Sequence, residues 1–262
     1  MTYRNLLMAA GIALAPLPAA AHFQLIFTDM PIIDAPREVP LRLIFWHPFE
    51  NGHAMDMGAP QAFYAVNKGR RIDLMDRLAP ITFQGRDNSA SAYAASVPVT
   101  RPGDYVLVVE PAPYYEGSED LYIQQLTKVY LNHAELPTDW TEPQGLATEI
   151  VPLNKPYNII AGSTFTGQVL AEGKPVPGAE IEIEFMAAEP DLARNAARAA
   201  IAGPMPGGSV VAISDADGYF TFGVPKAGWW GFAALGVGPA TEHDGKELSQ
   251  DAVLWVRAWE VE

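Results

Sequence analysis

Cysteine is absent from this sequence of 262 residues. Its absence excludes disulfide bonds, cysteine catalysis, iron–sulfur clusters and thiolate metal sites. Positive charge is also scarce: 17 lysines and arginines stand against 31 aspartates and glutamates, for a formal net charge of −14. Such an acidic surface disfavours nucleic acids and anionic membranes and weakly favours cations. We therefore expect no nucleic-acid partner.

Long apolar runs are missing after the first 21 residues, and a membrane-spanning helix needs about 20 such residues. The amino-terminal run, Leu6 to Leu17, is itself too short to span a bilayer. It follows the basic residue Arg4 and precedes Ala19-Ala20-Ala21, which has small residues at both positions that a signal peptidase examines. This pattern predicts a signal peptide over residues 1–21. Cleavage would export a chain that begins at His22 and has no transmembrane segment.

Motifs of nucleophilic, metalloprotease, nucleotide-binding and dinucleotide-binding enzymes are missing as well. The sequence contains no GxSxG, no HExxH, no P-loop and no GxGxxG before a helix. None of these catalytic classes is therefore indicated by a motif.

Short apolar segments bounded by turn residues are abundant, and glycine (22) and proline (23) are plentiful. Segments such as Leu41–Trp46 and Tyr105–Glu110 predict short strands. Their number and length predict an all-β fold of two β-sandwich domains in tandem. A proline-bearing connector near residue 155 divides residues 22–155 from residues 156–262. The alanine-rich stretch from Pro190 to Ala200 predicts one short helical insertion.

The second domain carries its own signature of strands and turns. The strand Thr164–Leu170 is followed by the turn Glu172–Gly178 and by Ala179–Phe185, which alternates apolar and acidic residues. The turn Asp215–Gly218 then leads into another strand. This order resembles the transthyretin-like or carboxypeptidase-regulatory-like β-sandwich, an Ig-like arrangement. The resemblance implies a fold but no particular function.

His22 is the most informative candidate ligand. Once Ala21 is removed, its α-amino group and its imidazole Nδ1 can chelate one metal ion in a six-membered ring. Reference pKa values near 7.7–8.0 for the amine and about 6.5 for the imidazole make deprotonation of both feasible at neutral pH. This is the arrangement of a histidine brace or a related amino-terminal metal site.

A second cluster lies in the segment FWHPFENGHAMDM, where His47 follows a strand and His53 comes six residues later. The Asn51-Gly52 turn could fold His53 back towards His47. Imidazole suits nickel, cobalt, copper and zinc, whereas the thioethers of Met55 and Met57 would suit Cu(I). We predict a metal site that uses His22 and at least one of His47 and His53.

Other polar residues are weaker candidates. His133 and His243 have no clustered partner and are expected at the surface. Glu116 belongs to an acidic segment beside two tyrosines, which favours a solvated loop, although a carboxylate could complete a site for a harder ion.

The motifs HPFENGHAMDM, GDYVLVVEPAPYYEGSEDLYIQQLTKVYLN, EIVPLNKPYN and PKAGWWGFAAL extend the pattern over the mature chain. Together they resemble the bacterial periplasmic components of nickel/cobalt uptake systems, a family whose domain was long catalogued as of unknown function. The resemblance implies a periplasmic protein, not an enzyme, that binds Ni(II) or Co(II) beside a membrane-embedded importer, with His22, His47 and His53 as ligands.

Two other functions remain open at this point. The first is a copper protein, either a chaperone or a histidine-brace oxidase, because Cu(II) binds most such sites more tightly than nickel does. The second is a structural or adhesive module that binds no metal, which two sandwich domains would also suit.

Overall fold

The computed structural model describes residues 22–49, 51–203 and 210–261, so the predicted signal peptide 1–21 lies outside the described residues. Over these ranges the chain forms strands and one short 3-10 helix, Met75–Arg77. None of the helical structure in these ranges has the length and hydrophobicity needed to cross a membrane. The strands are β1 (Phe23–Phe27), β2 (Ile32–Ile33), β3 (Arg37–Trp46), β4 (Ala54–Met55), β5 (Ala62–Asn67), β6 (Arg70–Asp73), β7 (Ala79–Gln84), β8 (Ser89–Val99), β9 (Gly103–Glu110), β10 (Tyr114–Glu116), β11 (Leu121–His133), β12 (Thr148–Pro152), β13 (Ile159–Ile160), β14 (Thr164–Ala171), β15 (Lys174–Pro175), β16 (Glu180–Phe185), β17 (Pro190–Asp191), β18 (Ala196–Ala197), β19 (Val210–Ile213), β20 (Tyr219–Gly223), β21 (Gly228–Ala234), β22 (Glu242–His243) and β23 (Lys246–Trp259).

These strands form three sheets. Sheet A has the order β1-β3-β8-β7-β18-β17, with β4 also paired to β3. The central sheet has the order β19-β16-β21-β23-β11-β9-β5-β6, with short strands added to β11 and β23. Sheet C contains β12, β14, β15 and β20. The all-β prediction is therefore confirmed.

The central sheet is apolar on both faces. In β23, Val253 and Trp255 pack in one core with sheet A, while Leu254 and Val256 pack in a second core with sheet C. The same alternation is seen in β9 and β21, because successive side chains of a strand point to opposite faces. The two sandwiches are therefore stacked as three layers that share the middle sheet.

The predicted domains 22–155 and 156–262 meet within that middle sheet. β11 of the first pairs in parallel with β23 of the second, from Tyr122↔Leu248 to Val129↔Trp255. Residues from the end of the chain consequently pack under sheet A, close to the amino-terminal strand.

The predicted helix from Pro190 to Ala200 is wrong, because this segment forms the short antiparallel pair β17–β18. The Asp191 carboxylate accepts hydrogen bonds from backbone N–H groups two and three residues later, at 2.9 and 3.1 Å, which closes a turn. Asn195 has a left-handed φ of 52°, and its side-chain oxygen accepts a 2.6 Å hydrogen bond from Arg42 on β3. Pairing with sheet A thus overrides the helix propensity of alanine.

Candidate metal centre

Three histidines lie at the same end of sheet A because of strand register. Phe23 of β1 pairs with Trp46 of β3, and Trp46 pairs on its other side with Ala54 of β4. His22, His47 and His53 are each one residue beyond these paired positions. The backbone therefore brings all three histidines to one end of sheet A, with His47 directly after the middle strand of the three.

The side chains of His22 and His47 are in contact. Their ring centroids are 4.3 Å apart, with an angle of 50° between the ring planes. Phe45 and Tyr114 pack around His22, with ring centroids 5.6 and 6.2 Å from its ring. His47 is buried, whereas His22 is half-buried. Two imidazoles therefore meet at a partly accessible position that is lined by Phe45 and Tyr114.

Glu116 reaches the same point from the β10–β11 hairpin. Its Oε2 lies 3.1 Å from Nε2 of His22. Its Oε1 accepts hydrogen bonds from the backbone N–H and the hydroxyl of Ser118, at 2.9 and 2.6 Å. Burial raises the pKa of Glu116, but the bonds from Ser118 and the proximity of His22 and His47 outweigh it and hold the pKa below its ordinary value. The group is thus a carboxylate at neutral pH.

The backbone of His22 is held by Gln125 of β11. The Gln125 amide nitrogen donates a 2.7 Å hydrogen bond to the carbonyl oxygen of His22. Its amide oxygen accepts a 2.7 Å hydrogen bond from the N–H of Gln24. One side chain therefore fixes the first peptide groups after the predicted cleavage point.

Gln125 is supported in turn by the second predicted domain. Its amide nitrogen also lies 3.2 Å from Oδ2 of Asp251, a fully buried residue of β23. Burial raises the pKa of Asp251, although hydrogen bonds from Gly236, Ser249 and Gln125 oppose that effect. The position of His22 thus depends on residues from both predicted domains.

His53 has different neighbours. It is exposed, and its Nε2 lies 3.2 Å from the amide nitrogen of Asn88. The same Asn88 side chain bonds both the N–H and the carbonyl of Ala54, at 2.9 and 2.7 Å. The structure therefore brings His22 and His47 together and places the His53 ring against Asn88.

The remaining candidates have other recorded neighbours. Met55 and Met57 are core residues, and the sulfur of Met57 lies 3.5 Å from the amide nitrogen of Gln24. His133 is buried at the end of β11, contrary to the expected surface position. His243 packs its ring against Tyr122. The sequence identified His22 and His47 from residue type, whereas the contacts of Glu116 and Gln125 arise from strand pairing that no local pattern reveals.

Among the residues that the structure describes, no group of three or more histidine, cysteine, aspartate or glutamate side chains is arranged to hold a metal ion. A site built from His22 and His47 has only two such side chains. Its third donor would be the α-amino group of His22, which processing would create. A metal site made of side chains alone would therefore need more donors than this pair supplies.

A family model described as "Domain of unknown function (DUF4198)" matches residues 19–238. The chain belongs to this family. The matched range contains His22, His47, Glu116 and Gln125, whereas Asp251 lies beyond it. A comparison with curated protein sequences found no match.

The solved structures that match this chain are distant. The D0-D1 domain of intimin is 13% identical, with 87% of this chain and 95% of that chain covered and a TM-score of 0.24. The adhesin InvE of Yersinia pseudotuberculosis is 13% identical, with 88% and 58% covered and a TM-score of 0.23. The fibronectin(III)-like modules of Clostridium thermocellum CbhA are 8% identical, with 91% and 95% covered and a TM-score of 0.20.

Proposed function

We propose that this DUF4198 protein is exported to the periplasm, where it captures Ni(II) or Co(II) and delivers the ion to a membrane-embedded importer. The observation that carries the proposal is the contact between His22 and His47, whose ring centroids are 4.3 Å apart. His22 is also the residue that the predicted cleavage after Ala21 would place first.

The donor set suits these ions. The α-amino group and Nδ1 of His22 would form one chelate ring, and the imidazole of His47 would supply a third nitrogen. Nickel and cobalt bind well to such nitrogen donors. The net charge of −14 adds a general attraction for cations. The ion is cargo in this proposal, so remaining coordination positions could be filled by water and exchanged at the importer.

The surroundings of His22 prearrange it to bind an ion. The His22 carbonyl and the Gln24 N–H are both bonded to Gln125, so the ligand backbone is held in place. A prearranged ligand backbone lowers the entropy cost of capturing an ion. The resemblance to periplasmic components of nickel/cobalt uptake systems supports the choice of cargo and of an importer as partner.

Copper(II) is the alternative cargo, because copper binds most nitrogen sites more tightly than nickel does. Thioether support for Cu(I) is weak in the folded chain. Met55 and Met57 belong to the hydrophobic core, where they pack with sheet A.

Metal analysis of protein isolated from the extracellular or periplasmic fraction tests the proposal. Cells are grown with equal trace amounts of nickel, cobalt and copper, and mass spectrometry checks that the chain begins at His22. About one nickel or cobalt per chain supports the proposal. One copper per chain, with peroxide-driven turnover as a check, would establish the copper alternative. A protein free of all three metals would favour a structural or adhesive module.

A further inference from the structure

We infer that Glu116 is a positioning residue for the metal site. Its carboxylate accepts a hydrogen bond from the Nε2–H of His22 and so leaves Nδ1 of the same ring to face the ion. This inference rests on the proposed function. It assigns Glu116 an outer role, in contact with a ligand rather than with the metal.

The geometry of the chelate requires this division of roles. A six-membered ring through the α-amino group can close only on Nδ1, because Nε2 lies on the far side of the imidazole. Glu116 Oε2 is 3.1 Å from that far nitrogen, a hydrogen-bonding distance for N–H to a carboxylate. An ion held by the amine and Nδ1 would therefore lie on the opposite side of the ring from Glu116.

A carboxylate in this position has a defined chemical effect. Metal-bound histidines usually donate their other ring N–H to a carboxylate or carbonyl, which fixes the tautomer and makes the ligating nitrogen more basic. Glu116 supplies that acceptor on a side chain that is mostly buried, since only 13% of its surface is exposed. The contact would thus strengthen binding through His22.

Glu116 is itself held in place. Its second oxygen, Oε1, accepts two hydrogen bonds from Ser118, so both carboxylate oxygens face donors. The hairpin that carries Glu116 is linked to β23 by the ion pair between Asp120 and Lys246. Within the hairpin, Asp120 also accepts a 2.5 Å hydrogen bond from the hydroxyl of Tyr115. A glutamine at position 116 could not serve all of these donors, since one of its two polar atoms is an N–H donor.

The test compares Glu116→Gln with Glu119→Gln. Glu119 is exposed on the same hairpin, so the control removes the same charge without touching His22. Calorimetric titration of the processed proteins with Ni(II) should show about 10- to 100-fold weaker binding for Glu116→Gln and no change for Glu119→Gln. Electron paramagnetic resonance of the Cu(II)-loaded proteins should show the same set of donor atoms in both variants and in the unsubstituted protein.

Two results would overturn the inference. Unchanged Ni(II) affinity in Glu116→Gln would remove any role for the carboxylate. Weaker affinity with a changed donor set in the resonance spectrum would make Glu116 a direct ligand instead.

A measurement on the metal-free protein separates this inference from the proposed function. Nitrogen-15 NMR of the His22 ring should show the proton on Nε2 in the unsubstituted protein and a more mixed tautomer in Glu116→Gln. A proton on Nδ1 would refute the positioning role even if the metal binds. Absence of Ni(II), Co(II) and Cu(II) binding together with the expected tautomer would instead refute the metal function alone.

Discussion

Polar side chains are buried on both faces of strand β11, but the hydrogen-bonded groups that they contact differ between the two faces. On the face towards sheet C, Lys128 is fully buried and its Nζ lies 2.6 Å from Oε2 of Glu149. Glu149 also accepts hydrogen bonds from the backbone N–H groups of Gln144 and Gly145, each at 2.9 Å. This set of contacts is closed, because each charge meets its partner inside the protein.

On the face towards sheet A, the contacts continue to the surface. Asp251 bonds Gln125, and Gln125 bonds the carbonyl of His22. His22 then contacts His47 and Glu116 at a half-buried position. The two faces thus differ in what their buried polar groups contact: on one face the groups satisfy one another, while on the other they hold the backbone of His22 at the proposed site.

The largest expected effect is on the closed face. Glu149→Ala leaves Lys128 buried without a counter-charge, so we expect a loss of about 3–5 kcal/mol in the free energy of unfolding. Urea denaturation measures this loss. If the variant does not fold, the double variant Lys128→Met/Glu149→Leu should recover part of the stability, because it removes both charges but still leaves the N–H groups of Gln144 and Gly145 without their acceptor. Ni(II) affinity of the folded protein should be unchanged, and a clear loss of affinity would break the comparison.

The pH dependence of stability has a defined sign for this pair. Burial raises the pKa of Glu149, but Lys128 and the backbone N–H groups lower it more, so the folded-state pKa lies below the usual 4.5. Its contribution is complete above about pH 4.5 and is lost as the pH falls through the folded-state pKa. Unfolding free energies measured from pH 6 to pH 3 should therefore fall less steeply in the double variant. An equal slope would contradict this account of Glu149.

The next effect is on the site itself. His47→Ala removes one of the proposed ligands, and we expect Ni(II) affinity to fall by more than about 100-fold, since groups that only support a ligand already contribute 10- to 100-fold. Calorimetric titration measures the loss, with His243→Ala as a control, because His243 packs against Tyr122. Equal affinities of these two variants would contradict the site.

A smaller effect is expected from Gln125→Ala. This change removes the hydrogen bonds to His22 and Gln24, so the terminus loosens and Ni(II) affinity should fall about tenfold. The neighbouring Gln124 is a matched control, since it is also buried and bonds Pro111 and Gln61 instead. Gln124→Ala should lose similar stability and keep its affinity. An equal loss of affinity in both variants would show that packing, and not the contact with His22, is responsible.

The smallest effect is expected from His53→Ala. Its ring contacts Asn88 and is exposed, so Ni(II) affinity should change by less than about twofold, or roughly 0.4 kcal/mol. A loss as large as that of His47→Ala would mean that His53 turns from Asn88 to the ion when metal binds. The same titration decides between these results.

Much of the fold could be predicted from local sequence patterns. Short apolar segments between glycine and proline residues predicted an all-β chain, and the structure confirms it. The helix prediction for Pro190–Ala200 was wrong, because alanine-rich sequence favours a helix only when no neighbouring sheet competes for its backbone. The shared middle sheet was also hidden, because the pairing of β11 with β23 joins residues more than 100 positions apart.

Only part of the candidate site could be predicted from the sequence. His22 and His47 are notable residue types at notable positions, so sequence alone suggests them. The partners of His22 are an ordinary glutamate and an ordinary glutamine, and only the placement of β10 and β11 beside β1 makes Glu116 and Gln125 relevant. Hydrophobic periodicity predicts local secondary structure, but it does not predict which side chains of different sheets come into contact.

One comparison of affinities tests the central claim most directly. Two forms of the protein are titrated with Ni(II), one that begins at His22 and one that carries a single additional alanine before it. The added residue converts the α-amino donor into a peptide nitrogen and leaves every side chain in place. We predict that the longer form binds more than about 100-fold more weakly, as expected for the loss of a direct ligand. Equal affinities would contradict the account, because the ion would then not depend on a free terminus at His22.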